Sequence, residues 1–186
     1  MSSELRVDKI VPIDGAPANG GGGIIQIIHD TSSTESSTSS GNYVTTGLSL
    51  NITPKFSTSK ILVCWEFRGN ADSSYNRMEF FIYRQINSGS NANLTSGASG
   101  NSAGQAAGQW PVSGGSDMQA QGEGGIDYLD DPSFSSGDKI TYKIYVRDGN
   151  NDGSSFSINR GRANLSNQEE TAGASSVTAF EISSTS

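Results

Sequence analysis

Two short runs constrain this chain more than anything else in it: KILVCWEF at residues 60–67 and KITYKIYV at residues 139–146. In the first, Ile61, Val63, Trp65 and Phe67 alternate with Leu62, Cys64 and Glu66. In the second, Ile140, Tyr142, Ile144 and Val146 alternate with Thr141, Lys143 and Tyr145, and Arg147 follows in step. A period of two sends successive side chains to opposite faces of an extended strand, so each run presents a core face and a second face. Helices have little to draw on, because Leu, Lys and Glu are scarce while Ser, Gly, Asn and Thr dominate. The apolar share is 33%, low for a globular chain, but the 23 glycines among the 186 residues close most of that gap. The chain is rich in turns rather than poor in core.

Further runs follow the same rule. In GLSLNITP, Leu48, Leu50 and Ile52 alternate with polar residues until Pro54, which has no N–H to give a ladder. NRMEFFIYRQI carries Met78, Phe80 and Ile82 on one face and Glu79, Phe81 and Tyr83 on the other. IDYLDDP adds a strand end, and SSVTAFEI closes the series with Val177 and Ala179 opposite Phe180 and Ile182. DGNNDG, between the 140s run and Phe156 and Ile158, predicts a hairpin, since Asn, Asp and Gly tolerate positive φ. Residues 87–125 are glycine-rich and poor in core formers, and are expected as loops around at most short strands at a domain tip. About eight short strands with glycine-rich turns predict an all-β fold, a β-sandwich of jelly-roll-like type.

Ahead of these strands stands GGGGIIQII at residues 20–28. Four glycines read as a joint, because ordering them costs more conformational entropy than ordering other residues. The domain organisation is therefore a short extended N-terminal attachment arm with its joint over residues 1–23, then the sandwich over 24–186. Leu5, Val7, Ile10 and Val11 give the arm a strand-like pattern with no hairpin partner nearby, so it is expected to dock on another protein. Ile24, Ile25, Ile27 and Ile28 place isoleucine on both faces of one strand. One face meets the domain core, and the other is expected to meet a neighbouring subunit.

A formal charge of −7 and the absence of a basic cluster argue against nucleic-acid binding. With one cysteine there is no intrachain disulfide and no multi-thiolate zinc site. No apolar run suits a signal peptide or a membrane span, so synthesis in a cytoplasm and no membrane insertion are expected. No constellation supports catalysis. His29 and Cys64 are single and have no orienting partner in the pattern. Asp148, Asn150, Asp152 and Gly153 open like a calcium loop, but the twelfth position is Asn159 rather than a bidentate glutamate, and a plain turn is expected. Asp127, Asp130 and Asp131 read as a solvated strand end. A non-enzymatic protein with no metal and no cofactor is the expectation. Trp110 with Gln109 stands among amides in the tip region, where it either stacks on a receptor sugar or packs beneath the loops.

The segments LRVDKIVPIDGAPANGGGGIIQ, TGLSLNITP followed by SKILV, SFSINR and SSVTAFEI resemble tail-fibre and fibre-like virion proteins of tailed phages, notably those of marine cyanobacteria. The resemblance runs from residue 4 to residue 182, is most specific in the opening segment, and lapses over residues 87–125. It implies a virion component assembled in the host cytoplasm and usually a homotrimer. Such a component is held to a phage tail or capsid protein by its arm and displays a β-sandwich toward the host surface, where a glycan is a possible partner. A capsid or tail decoration without a receptor, and a carbohydrate-binding module, are the alternative readings. The resemblance carries over no catalytic residue.

Overall fold

A computed structural model describes residues 23–71, 77–95, 108–111, 120–148, 156–159 and 173–183 of the protein. Within them lie β1 (Ile24–Ser32), β2 (Ser36–Thr38), β3 (Val44–Ile52), β4 (Lys60–Ala71), β5 (Arg77–Ile86) and β6 (Ala92–Asn93). β7 (Gly108–Pro111), β8 (Ala120–Asp130), β9 (Ile140–Asp148), β10 (Phe156–Ile158) and β11 (Ser175–Ile182) complete the series, and there is no helix among the described residues. Every pairing between them is antiparallel.

These segments reduce to eight columns, because a strand has only two edges to offer. β8 pairs with β4 from Ile61↔Asp130 to Ala71↔Ala120 and fills one edge completely. β11, opposite Lys60 to Glu66, and β10, opposite Gly69 to Ala71, therefore share the other edge end to end. β1 lies outside β11 and β2 outside β10. The same holds in the second sheet, where β9 fills one edge of β5 and β6 and β7 share the other. Numbered by first appearance, the columns run 1-8-3-6 (β1/β2, β11/β10, β4, β8) in the first sheet and 2-7-4-5 (β3, β9, β5, β6/β7) in the second. That interleaving of two Greek keys is a jelly roll.

The core lies between the sheets. Leu48, Leu50, Ile52, Ile61, Val63, Trp65, Phe67, Phe80, Ile82, Ile140, Tyr142, Ile144 and Val146 all point into it, following the alternation of their strands. Trp65, Phe67 and Phe80 form a stack across the gap, with ring centroids 6.2 and 4.7 Å apart and planes 15° and 9° from parallel. In β3 the register with β9 shifts between Thr45 and Ser49, and Gly47 takes the positive φ of 82° at that irregularity. Thr46 then turns inward and its Oγ1 donates to the Ile144 carbonyl at 3.1 Å.

Three sequence expectations need correction. The segment after β9 is not the second arm of a hairpin. β9 already has β3 on one edge and β5 on the other, so the chain crosses to the first sheet and β10 pairs with β4 and β2. Asp148 itself is buried, and residues 149–155 lie outside the described residues. Asp130 is not a solvated strand end: it is 3% exposed and accepts from Arg84 Nη1 at 2.6 Å and from Tyr142 Oη at 2.7 Å. Its neighbours Asp127 and Asp131 are exposed, the latter 3.1 Å from Lys60 Nζ. Finally, residues 87–125 hold more than loops and short strands: beside the short β6 and β7, the first half of β8, a strand of 11 residues, falls within them. β6 and β7 join the ladder of β5, and the first half of β8 that of β4. At Gly125 a Cβ would come within 3.3 Å of the Trp65 carbonyl oxygen, so the missing side chain suits the close approach of β8 to β4.

Candidate interaction face

The last strand inverts the usual pattern. In β11 the inward positions are Ser175, Val177, Ala179 and Glu181, while the bulky Phe180 and Ile182 point away from the core. Glu181 is fully buried, and its two oxygens are occupied. Oε1 accepts from the backbone N–H groups of Lys55 and Phe56 at 2.7 and 3.2 Å and from Ser59 Oγ at 2.7 Å. Oε2 accepts from Gln26 Nε2 at 2.6 Å, and that amide also donates to the Thr53 carbonyl at 2.9 Å. The carboxylate thus ties β1, β11 and the β3–β4 connection together. It satisfies backbone donors that the turn at residues 53–59 would otherwise bury unpaired, which is what makes a buried charge tolerable.

The apolar bulk that β11 does not send inward forms a row on the outside. Register places Ile27 of β1 opposite Phe180, Phe180 opposite Leu62 of β4, and Leu62 opposite Leu129 of β8. Cross-strand partners share a face, so the four residues cross all four columns, a span of about 14 Å at the usual strand spacing. Ile27 and Leu129 are each 55% exposed, and Phe180 and Leu62 are half-buried. Ile24, 60% exposed and paired with Ile182, extends the row toward the start of β1.

Beside this row on the same face, His29 lies opposite Thr178, Thr178 opposite Cys64, and Cys64 opposite Asp127. His29 Nδ1 and Thr178 Oγ1 are 2.9 Å apart. Burial, a hydrogen bond to Asp127 and the negative charges of Asp127 and Glu66 push the Cys64 thiol up from 9.0 to about 11. It is protonated at neutral pH and no nucleophile. Further along lies a cleft of about 360 Å³ between Glu66, Arg68, Gly124, Gly125 and Ala174. Among the described residues, no group of three or more His, Cys, Asp or Glu is placed to hold a metal ion.

Of the four isoleucines expected at a subunit contact, Ile24 and Ile27 are the exposed ones. Ile28 packs on the core opposite Ala179, and Ile25 is half-buried. Strict alternation pairs Ile24 with Ile28 on one side and Ile25 with Ile27 on the other. The register irregularity between Ile24 and Gln26 breaks that parity and brings Ile24 and Ile27 outward together. Leu5, Val7, Ile10 and Val11 lie outside the described residues, and the described chain begins at Gly23, whose carbonyl accepts from the Ser183 N–H at 3.0 Å. In β7 the backbone of Trp110 lies opposite Met78 and that of Gln109 opposite Glu79; their side chains lie outside the described residues. Alternation puts Phe180 and Ile182 on one face of β11, but nothing along the chain joins Leu62 and Leu129 to that face. The legible signal was Glu181 sharing a strand face with Val177 and Ala179.

No known protein family matches this chain, and no curated protein matches it. Among solved structures it is similar to a chain in the structure of the infectious bursal disease virus Gx strain, with a TM-score of 0.41 and 11% sequence identity. The alignment covers 84% of this chain and 36% of the viral one, so this chain spans about a third of that protein's length.

Proposed function

We propose that the protein is a non-enzymatic structural subunit of a phage virion, a tail fibre or fibre tip. In this reading three copies associate through the outer face of the first sheet, the arm at residues 1–23 holds the assembly to a tail or capsid protein, and the sandwich is displayed toward the host surface. The observation that carries self-association is the outward row Ile27, Phe180, Leu62 and Leu129, laid over a strand that turns a carboxylate inward. Covering side chains of this size is worth about 1.5 to 3 kcal/mol each when burial is complete, and a soluble chain gains nothing by leaving them in a contiguous band. The place where the arm leaves supports a second copy as the cover. Gly23, the first described residue, adjoins Ile24 in the row, so the point where the arm joins the domain lies beside this face. The phage fibre resemblance of the arm and of the strand segments supports the virion setting.

Solution mass is the test. The full chain is expected at three times its 19.5 kDa mass. The double variant Ile27→Asp, Leu129→Asp is expected to be a folded monomer with the far-ultraviolet spectrum of the parent. A parent chain that stays monomeric at high concentration would overturn the assembly. Deleting residues 1–19 is expected to leave the assembly intact but abolish incorporation into particles, and normal incorporation would overturn the role of the arm.

A further inference from the structure

The outward face of the second sheet has a different chemistry. Glu79, Phe81, Tyr83 and Gln85 of β5 lie opposite Arg147, Tyr145, Lys143 and Thr141 of β9, one for one. Tyr43, just before β3, folds over this surface. Its ring meets Phe81 edge-on, with centroids 4.5 Å apart at 78°, and lies 6.4 Å from Tyr83. Tyr83 and Tyr145 are in contact at 4.3 Å, their planes tilted by 41°. Phe81 is fully buried beneath, while Tyr43 is 38% exposed and the other two tyrosines are half-buried. The guanidinium of Arg147 sits 5.0 Å from the Tyr43 ring centre and is held by Glu79 at 2.6 Å.

One edge of this aromatic patch is lined with oriented polar groups. Asn91 Nδ2 donates to the Tyr145 hydroxyl at 3.1 Å, and its Oδ1 accepts from Lys143 Nζ at 3.3 Å. Lys143 also donates to Gln85 Oε1 at 2.6 Å, and Gln85 in turn donates to the Gly89 carbonyl at 2.7 Å. Asn93 Nδ2 lies 3.4 Å from the Tyr83 hydroxyl. Gln85 belongs to β5, Asn93 to β6 and Asn91 to the connection between them, which starts where Asn87 takes a positive φ of 50°, exchanges hydrogen bonds with Lys139 and donates to Asp138. The rim groups are oriented by these hydrogen bonds to one another and to the Gly89 carbonyl.

We propose that this patch binds saccharide, with a pyranose ring laid against Tyr43, Tyr83 and Tyr145 and its hydroxyls met by Asn91 and Lys143. Aromatic faces offer the C–H side of a sugar ring an apolar partner, and amides and an ammonium beside them supply the directional hydrogen bonds that hydroxyls require. The rings are already locked against one another and the rim is already oriented, so little side-chain entropy remains to be lost on binding. The net charge of −7 disfavours a nucleic acid as the stacking partner. The site deepens the attachment reading above and rests on it only for the source of the sugar, a host-surface polysaccharide. Several weak sites on one assembly would add up to firm adhesion.

The test uses the full chain and, separately, its Ile27→Asp, Leu129→Asp variant, so that a single site is measured without help from assembly. Both are applied to an array of purified bacterial lipopolysaccharide O-chains, capsular polysaccharides and exopolysaccharides. Hits are titrated in solution while the tyrosine ring protons are followed by NMR. Binding is expected from both proteins, with shifts in tyrosine ring signals and a loss of roughly tenfold or more on Tyr145→Ala or Asn91→Ala. Asn91→Ala lies on an exposed turn and serves where Tyr145→Ala loosens the sheet. No binding to any polysaccharide, or binding that both substitutions leave unchanged, overturns the site. Either result leaves the mass measurements on assembly untouched.

Discussion

The two outward faces of this sandwich solve the same problem in opposite ways. On the second sheet, the apolar ring of Phe81 points outward but is fully covered, because Tyr43 folds over it and Arg147, held by Glu79, lies across both rings. On the first sheet, Ile24, Ile27 and Leu129 point outward and stay more than half exposed, while the strand between β1 and β4 keeps its carboxylate on the inside. One face is finished within the chain and the other leaves its apolar side chains exposed. What separates them is the cover that Tyr43 and Arg147 supply on one side and no described residue supplies on the other.

The largest expected effect tests the inside of the uncovered face. Glu181→Ala strips a fully buried acceptor from two backbone N–H groups, Ser59 and Gln26 at once. It should cost about 3 kcal/mol or more, since buried donors lose their partner together. Glu181→Gln, which keeps one oxygen, should cost clearly less. Urea unfolding of both variants checks this, and equal losses would mean that shape rather than the carboxylate holds the β3–β4 connection.

Alkali should act on both faces and on the core between them. Burial and the nearby Asp130 carboxylate push the Tyr142 hydroxyl far above its ordinary 10.0; burial raises that of Tyr83; and Cys64 rises from 9.0 to about 11. Each folded-state pKa exceeds its unfolded value, so the unfolded chain releases protons first. Stability is then complete below pH 9.0 and falls as pH rises, through Cys64 up to about 11 and through the tyrosines from 10.0 upward. The buried Tyr142 alone can contribute a slope of up to about 1.4 kcal/mol per pH unit. Unfolding midpoints followed upward from neutral pH should show the decline, with Cys64→Ala removing its earliest part and Tyr142→Phe its steepest.

The smallest effect addresses the comparison most directly. Tyr43→Ala uncovers Phe81 and should destabilise the chain by about 1 to 2 kcal/mol. Ile27→Asp, Leu129→Asp in the monomer should change stability by no more than about 0.5 kcal/mol for each position, the usual range for exposed sites. A large loss from the aspartates would mean that the first face is finished by its own chain after all.

Much of the fold was legible in the chain. The alternation at Ile61 to Phe67 and at Ile140 to Val146 marks the two central strands, whereas the expected count of about eight takes β10 and β11 separately, although they share one column, and lacks the column of β6 and β7. β7 and the first half of β8 were not legible, because GQWP is too short to show a period and AQGEGG has no apolar alternation; both pair along edges that β5 and β4 supply. The partner of β10 was hidden for a related reason: Asp148 to Gly153 has the composition of a hairpin, but nothing local says that both edges of β9 are already taken.

The interaction face was half visible. Four isoleucines beside a glycine joint announce a strand that needs two covers, and that demand follows from the two-residue period alone. Which of them face outward was decided by the irregularity between Ile24 and Gln26, a feature of pairing with β11 that has no local signature. Leu62, Phe180 and Leu129 belong to strands far apart in the chain and form a row only because antiparallel register sets them side by side. The sequence by itself determined strands, period and the presence of surplus apolar side chains, since these depend on neighbours along the backbone. Tertiary structure alone decided which edges meet and which of those side chains share a surface, because both depend on ladders closed between segments more than a hundred residues apart, such as β1 and β11.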